Sequence, residues 1–78
     1  AGPLGDHARV RLADLAARAG DGRACVRLCR TVLDNGREDP EPVLRLMGRG
    51  YELLGRPRTA ADCFAGRTPP ADPHRDRP

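Results

Sequence analysis

The sequence contains no lysine, no isoleucine and no tryptophan, and only one tyrosine and one phenylalanine. With so few aromatic and β-branched residues and no apolar/polar alternation, nothing in it reads as a β-strand. It also lacks any apolar run long enough to cross a bilayer, and any signal-like segment, so it is expected to work away from membranes. Large apolar side chains are scarce as well. Nine Leu, four Val and one Phe make up fewer than one residue in five, near the level at which a highly charged chain stays unfolded. A single 78-residue domain with such a core should retain only ~3–5 kcal/mol of net stability, and we expect either a piece of a longer chain or a domain that docks on something.

All 14 basic residues are arginine, set against 11 acids for a net charge of +3. A GC-rich coding sequence accounts for this bias, as would selection for guanidinium chemistry. So small an excess favours acidic partners only weakly. The three cysteines are an odd number, which points to a reducing cytoplasm rather than a disulfide framework. Gly2-Pro3-Leu4-Gly5 resembles the remnant of a cleaved tag, so residues 1–5 are set apart from the domain.

What the chain does have is helical periodicity over residues 6–66. Asp6 is placed to cap a first helix over about residues 7–19, with Ala8, Leu12, Leu15, Ala16 and Ala19 facing inward. Asp21 then caps a second helix whose inner face is Cys25, Leu28, Cys29, Val32 and Leu33, ending at Asn35-Gly36. Gly20-Asp21-Gly22 is so short a turn that the two helices must be antiparallel neighbours. Pro40 and Pro42 suit the first turn of a third helix. Its two apolar stripes, Leu44/Met47/Gly48/Tyr51 and Val43/Leu46/Gly50/Leu53, predict burial on two sides. Pro57 opens a fourth helix with Ala60, Ala61 and Phe64 inward. The segment 67–78, with Pro69, Pro70 and Pro73 and no apolar side chain larger than Ala, reads as a disordered or polyproline-like tail.

The helices repeat. Gly20 and Gly55 stand 35 positions apart, and so do Leu12 and Met47, Ala13 and Gly48, Ala16 and Tyr51, Cys25 and Ala60, and Cys29 and Phe64. The run Leu44-x2-Met47-Gly48-x2-Tyr51, then Gly55, then Ala60-x3-Phe64, resembles the tetratricopeptide repeat, a helix–turn–helix unit of about 34 residues. The resemblance implies an all-α fold of two antiparallel helical hairpins. Gly48 and Ala60 would be the small residues where paired helices cross, with Tyr51 and Phe64 filling the two ends. Residues 24–65 further resemble the bacterial transcriptional activator domain of actinobacterial antibiotic-regulatory proteins. The matching elements are Leu33, Glu38-Asp39-Pro40-Glu41, Arg45-Leu46-Met47, Gly55-Arg56 and Thr59-Ala60-Ala61.

Few residues suggest chemistry. Cys25 and Cys29, one helical turn apart, would need Cys63 and His7 or His74 to complete a zinc site, but no C-x2-C knuckle is present. They fall where the repeat wants small core residues, which a free Cys supplies. No nucleophile, base and orienting group coincide, Gly48-x-Gly50 lies inside a helix rather than in a phosphate loop, and no cofactor or enzymatic activity is expected. The expected job is protein–protein docking, with Arg18, Arg45, Arg49 and Leu53 on the first-of-pair helices meeting an acidic or amphipathic segment. A second stripe, Arg23, Arg27 and Arg30, lies on the other helix layer. A nucleic-acid-associated regulator using the arginine surface is the second reading. It is disfavoured because acids interleave the arginines and both aromatics are assigned to the core. Two repeats without a cap also leave an apolar helix end through which two copies could pair.

Overall fold

The computed structural model of the protein describes residues 5–70. Four helices follow one another, α1 (Asp6–Arg18), α2 (Gly22–Asn35), α3 (Pro40–Leu53) and α4 (Pro57–Phe64), with no strand among the described residues. The chain is all-α. Helices α1 and α2 form one antiparallel hairpin and α3 and α4 a second; α2 packs on α3, and α1 reaches α3 more briefly.

Local chemistry sets the boundaries. Asp21 Oδ1 accepts from the Ala24 amide at 3.1 Å, and Asp39 Oδ1 accepts from the Glu41 amide at 3.1 Å, so both acids satisfy donors that helix starts leave open. Pro40 and Pro57 occupy first-turn positions where a missing N–H costs nothing. The two hairpin turns are copies of each other. Gly20 (φ 81) and Gly55 (φ 73) take the left-handed conformation, and the next amide returns to the helix each time, Asp21 to the Ala16 carbonyl at 2.8 Å and Arg56 to the Tyr51 carbonyl at 2.9 Å. This is the glycine C-terminal motif in which the chain reverses within three residues.

Asp6 does not cap α1 as expected. Gly5 is the N-cap, without a side-chain bond, which also moves the start of the folded region into the stretch set apart above. The Asp6 carboxylate is buried and drawn elsewhere. Asn35 Nδ2 donates to it at 2.7 Å, Arg37 Nε at 3.2 Å and Arg9 Nη1 at 3.1 Å. The first two donors tie the start of α1 to the end of α2 and the segment beyond it, and Arg9 braces the carboxylate from within α1.

The inner face of α1 also differs from expectation. Ala13 and Ala17 are buried and Val10 is partly buried, whereas Leu12 and Leu15 are 42% and 60% exposed. The expected stripe 8/12/15/19 and the observed stripe 6/10/13/17 have identical spacing and sit two residues apart, about 200° around the helix. Leu12 is therefore not a crossing residue, while Ala16, at the edge of both stripes, is partly buried. Small alanines win because α1 must come close to α2. Side chains of leucine size on that face would hold the two apart.

Elsewhere the expected core is present: Cys25, Cys29, Val32, Val43, Leu44, Met47, Tyr51 and Ala60 are buried, joined by Cys63. In α4 the inward residues are Ala60 and Cys63, while Ala61 is exposed and Phe64 is 45% exposed. A Cβ on Gly48 would lie 2.6 Å from Phe64 Cε1, so the ring lies across Gly48 with its outer side open, and Phe64, not Ala60, supplies the closest atoms. The tightest approach joins the hairpins. A Cβ on Gly22 would lie 2.5 Å from the Gly50 carbonyl oxygen, and one on Gly50 would lie 2.8 Å from Val26 Cγ2 and 3.1 Å from Cys25 Sγ.

Of the expected tail, residues 71–78 lie outside the described residues. Its first four residues, Arg67 to Pro70, are in place beside the helices, and Pro69 is buried.

Candidate docking groove

With Ala13 and Ala17 turned inward, the next face of α1 looks toward α3, and the two helices border a groove of ≈ 580 Å³. Val10 from α1, Pro42 and Leu46 from α3, and Phe64 from α4 provide its apolar lining. Arg11, Arg45 and Arg49 stand along it with a single acid, Asp14. The ring that covers Gly48 thus also walls the groove, and the absent Cβ of residue 48 is what allows it to sit there.

The charges are unevenly paired. Asp14 Oδ2 is held at 3.0 Å by Arg18 Nε, and Arg45 Nη2 lies 2.9 Å from Glu41 Oε1, both one helical turn apart. Exposed pairs of this kind contribute ~0.3–0.5 kcal/mol each and open readily. Arg11 and Arg49 have no carboxylate partner among the described residues. An apolar groove lined by three guanidinium groups, with its one acid already engaged, favours an acidic ligand with an apolar face.

Of the four residues expected to form a partner surface, the structure brings Arg45 and Arg49 together. Arg18 lies along α1 and reaches the groove only through Asp14. Leu53, 47% exposed, is not part of it. It belongs to the Gly22–Gly50 approach, with its Cβ 2.9 Å from where a Gly22 Cβ would stand. Arg11, Val10 and Phe64 were missed. The first two follow once Ala13 is placed inward, because residues 10 and 14 then flank α3 and Arg11 stands beside them. Phe64 follows only from the missing Cβ at Gly48.

The cysteines are placed for packing. All three are free and buried. Cys25 Sγ donates weakly to the Leu46 carbonyl at 3.4 Å. The neighbouring Cys25 thiol, and after it burial, push the Cys29 thiol far up, and burial pushes Cys63 up. Thiols held protonated in this way are poor nucleophiles. Among the described residues no three His, Cys, Asp or Glu side chains gather to hold a metal; His7 is exposed, and His74 lies outside the described residues. No helix of the described residues is long and apolar enough to cross a membrane. Compared with known proteins, the chain matches no family model, no curated protein and no solved structure.

Proposed function

We propose that the chain is a non-catalytic, tetratricopeptide-like docking module that takes an acidic, amphipathic protein segment between α1 and α3. The observation that carries this reading is the groove itself, apolar along Val10, Pro42, Leu46 and Phe64 and basic along Arg11, Arg45 and Arg49. A ligand helix or extended strand with apolar residues on one side and carboxylates at its margins would bury the first set and pair with the second. Binding of this type needs no cofactor. The wider setting, a bacterial regulator or a multidomain assembly working in a reducing cytoplasm, rests on the resemblance of residues 24–65 and on three unpaired thiols.

The test is binding of an acidic amphipathic peptide to the intact chain by calorimetry. Arg45→Glu combined with Arg49→Glu should weaken it by roughly tenfold or more and flatten its salt dependence, with helicity unchanged. Arg27→Glu, on the opposite helix layer, should leave it within about twofold. Equal losses from both sets would mean diffuse electrostatic association and favour a nucleic-acid ligand. No loss from either would remove the groove from consideration.

A further inference from the structure

The arginines of α2 are not alike. Arg23 and Arg27 are exposed, but Arg30 is partly buried and has no carboxylate partner among the described residues. Its guanidinium bonds only to neutral oxygens. Nη1 donates to the Pro69 carbonyl at 2.7 Å, and Nη2 donates to the Pro70 carbonyl at 3.0 Å and to the Tyr51 hydroxyl at 3.3 Å. Pro69 is buried although it belongs to no helix. Gly66, at φ 88, turns the chain out of α4. Arg67 then fixes the segment from its other end, with its amide on the Asp62 carbonyl at 2.9 Å and its Nη2 on Asp62 Oδ1 at 2.8 Å.

We propose that Arg30 and Tyr51 form a binding site for a proline-proline segment, and that the chain fills this site with its own Pro69-Pro70. The chemistry favours proline over other residues for two reasons. A guanidinium is all donor, and a prolyl run presents carbonyl acceptors with no N–H to be stranded when buried. The ring fixes φ, so ordering two prolines costs less conformational entropy than ordering two residues of another kind. The site lies apart from the α1–α3 groove and shares no residue with it. A proline-rich partner must displace the resident segment, which its short tether holds at high effective concentration.

Tyr51 is the only tyrosine and the chain has no tryptophan, so intrinsic emission reports on a side chain bonded to Arg30. The experiment compares the intact chain with a Pro69→Ala, Pro70→Ala variant, whose changes lie outside every helix. It titrates each with a blocked peptide of sequence Gly-Arg-Thr-Pro-Pro, or with its Gly-Arg-Thr-Ala-Ala counterpart. The variant should show altered Tyr51 emission that the Pro-Pro peptide returns to the wild-type value. The Ala-Ala peptide should require at least tenfold more, and the intact chain should bind the Pro-Pro peptide at least tenfold more weakly than the variant does. Adding Arg30→Met to the variant should abolish the response with the circular dichroism spectrum unchanged. If that triple variant unfolds, the Pro-Pro against Ala-Ala comparison decides alone. Emission that ignores the proline substitutions, equal response to the two peptides, or equal affinity of the two proteins would each overturn the proposal.

Discussion

The two hairpins share a turn almost atom for atom but not a packing scheme. Gly20 and Gly55 end their helices in the same conformation, with the same return hydrogen bond 35 positions apart. Around that common turn, α3 lies between α2 and α4 and is buried on both sides, whereas α1 packs on α2, reaches α3 only briefly and leaves Leu12 and Leu15 exposed on its outer face. Gly50, which meets Val26 and Cys25 of α2, corresponds to Leu15, which is exposed. A repeat therefore transmits the shape of its turn through its own glycine. Which face of its first helix is buried depends on the neighbours on either side.

The comparison is broken most severely where the hairpins meet. Gly22→Val places a Cβ against the Gly50 carbonyl, a backbone atom that cannot swing aside, and should cost about 3 kcal/mol. Against the ~3–5 kcal/mol expected of a domain of this size that leaves ~0–2 kcal/mol, so the melt should move down towards room temperature, as a loss of helical ellipticity on mild warming would show. Gly48→Leu meets the Phe64 ring first, a side chain open on its outer side that can rotate away, so we expect a loss of about 1–2 kcal/mol. Adding Phe64→Ala should recover part of it. A Gly48→Leu melt as damaged as that of Gly22→Val would mean that the ring is locked by contacts beyond those described.

Asp6 marks a difference of another kind, since α1 is anchored by a buried carboxylate and α3 begins on an exposed acid. Its hydrogen bond from Asn35, aided by Arg37 and Arg9 against the opposing effect of burial, holds the Asp6 carboxyl below the ordinary range. Its folded value is the lower one, so its contribution is complete above about pH 4, the unfolded value, and is lost as pH falls through the folded value. Asp6→Asn should lower the melting temperature at pH 7 and flatten its fall between about pH 5 and pH 2. A variant that melts in parallel with the wild type across that range would show that Asp6 contributes nothing charge-dependent. The smallest effect is expected at Leu15→Gln, within ~0.5 kcal/mol of wild type in a thermal melt. A loss of about 2 kcal/mol there would instead mean that the outer face of α1 is covered by something, as a buried leucine's loss would register.

These particulars also show what the sequence could disclose. The four helices, the proline starts of α3 and α4, the Asp21 cap and most of the two buried stripes of α3 were legible because each depends on residues close in sequence; the Asp39 cap was not read, and Leu53 is exposed. The inner face of α1 was not, since two stripes of identical spacing competed and the larger residues lay on the wrong one. Only the approach of α2, which demands alanine-sized side chains at 13 and 17, decides between them. Half of the groove was missed for the same reason: Arg45 and Arg49 were placed from α3 alone, but Arg11 and Val10 require the correct rotation of α1. Arg30 looked like one of three surface charges because its acceptors are carbonyls, and main-chain oxygens carry no letter in a sequence.

The core of this protein is unusually rich in sulfur for its size, with Cys25, Cys29, Cys63 and Met47 all at its centre. Sulfhydryls sealed between helices meet a solution reagent only when the helices that cover them part. The chain thus carries internal clocks for its own breathing. Cys25 and Cys29 time the opening of the fourteen-residue α2, and Cys63 that of the eight-residue α4. The shorter helix, whose own Phe64 is half open to solvent, should part first. Damage by peroxide should then begin at residue 63 and move inward, making α4 the weak point at which an oxidising environment starts to dismantle the fold.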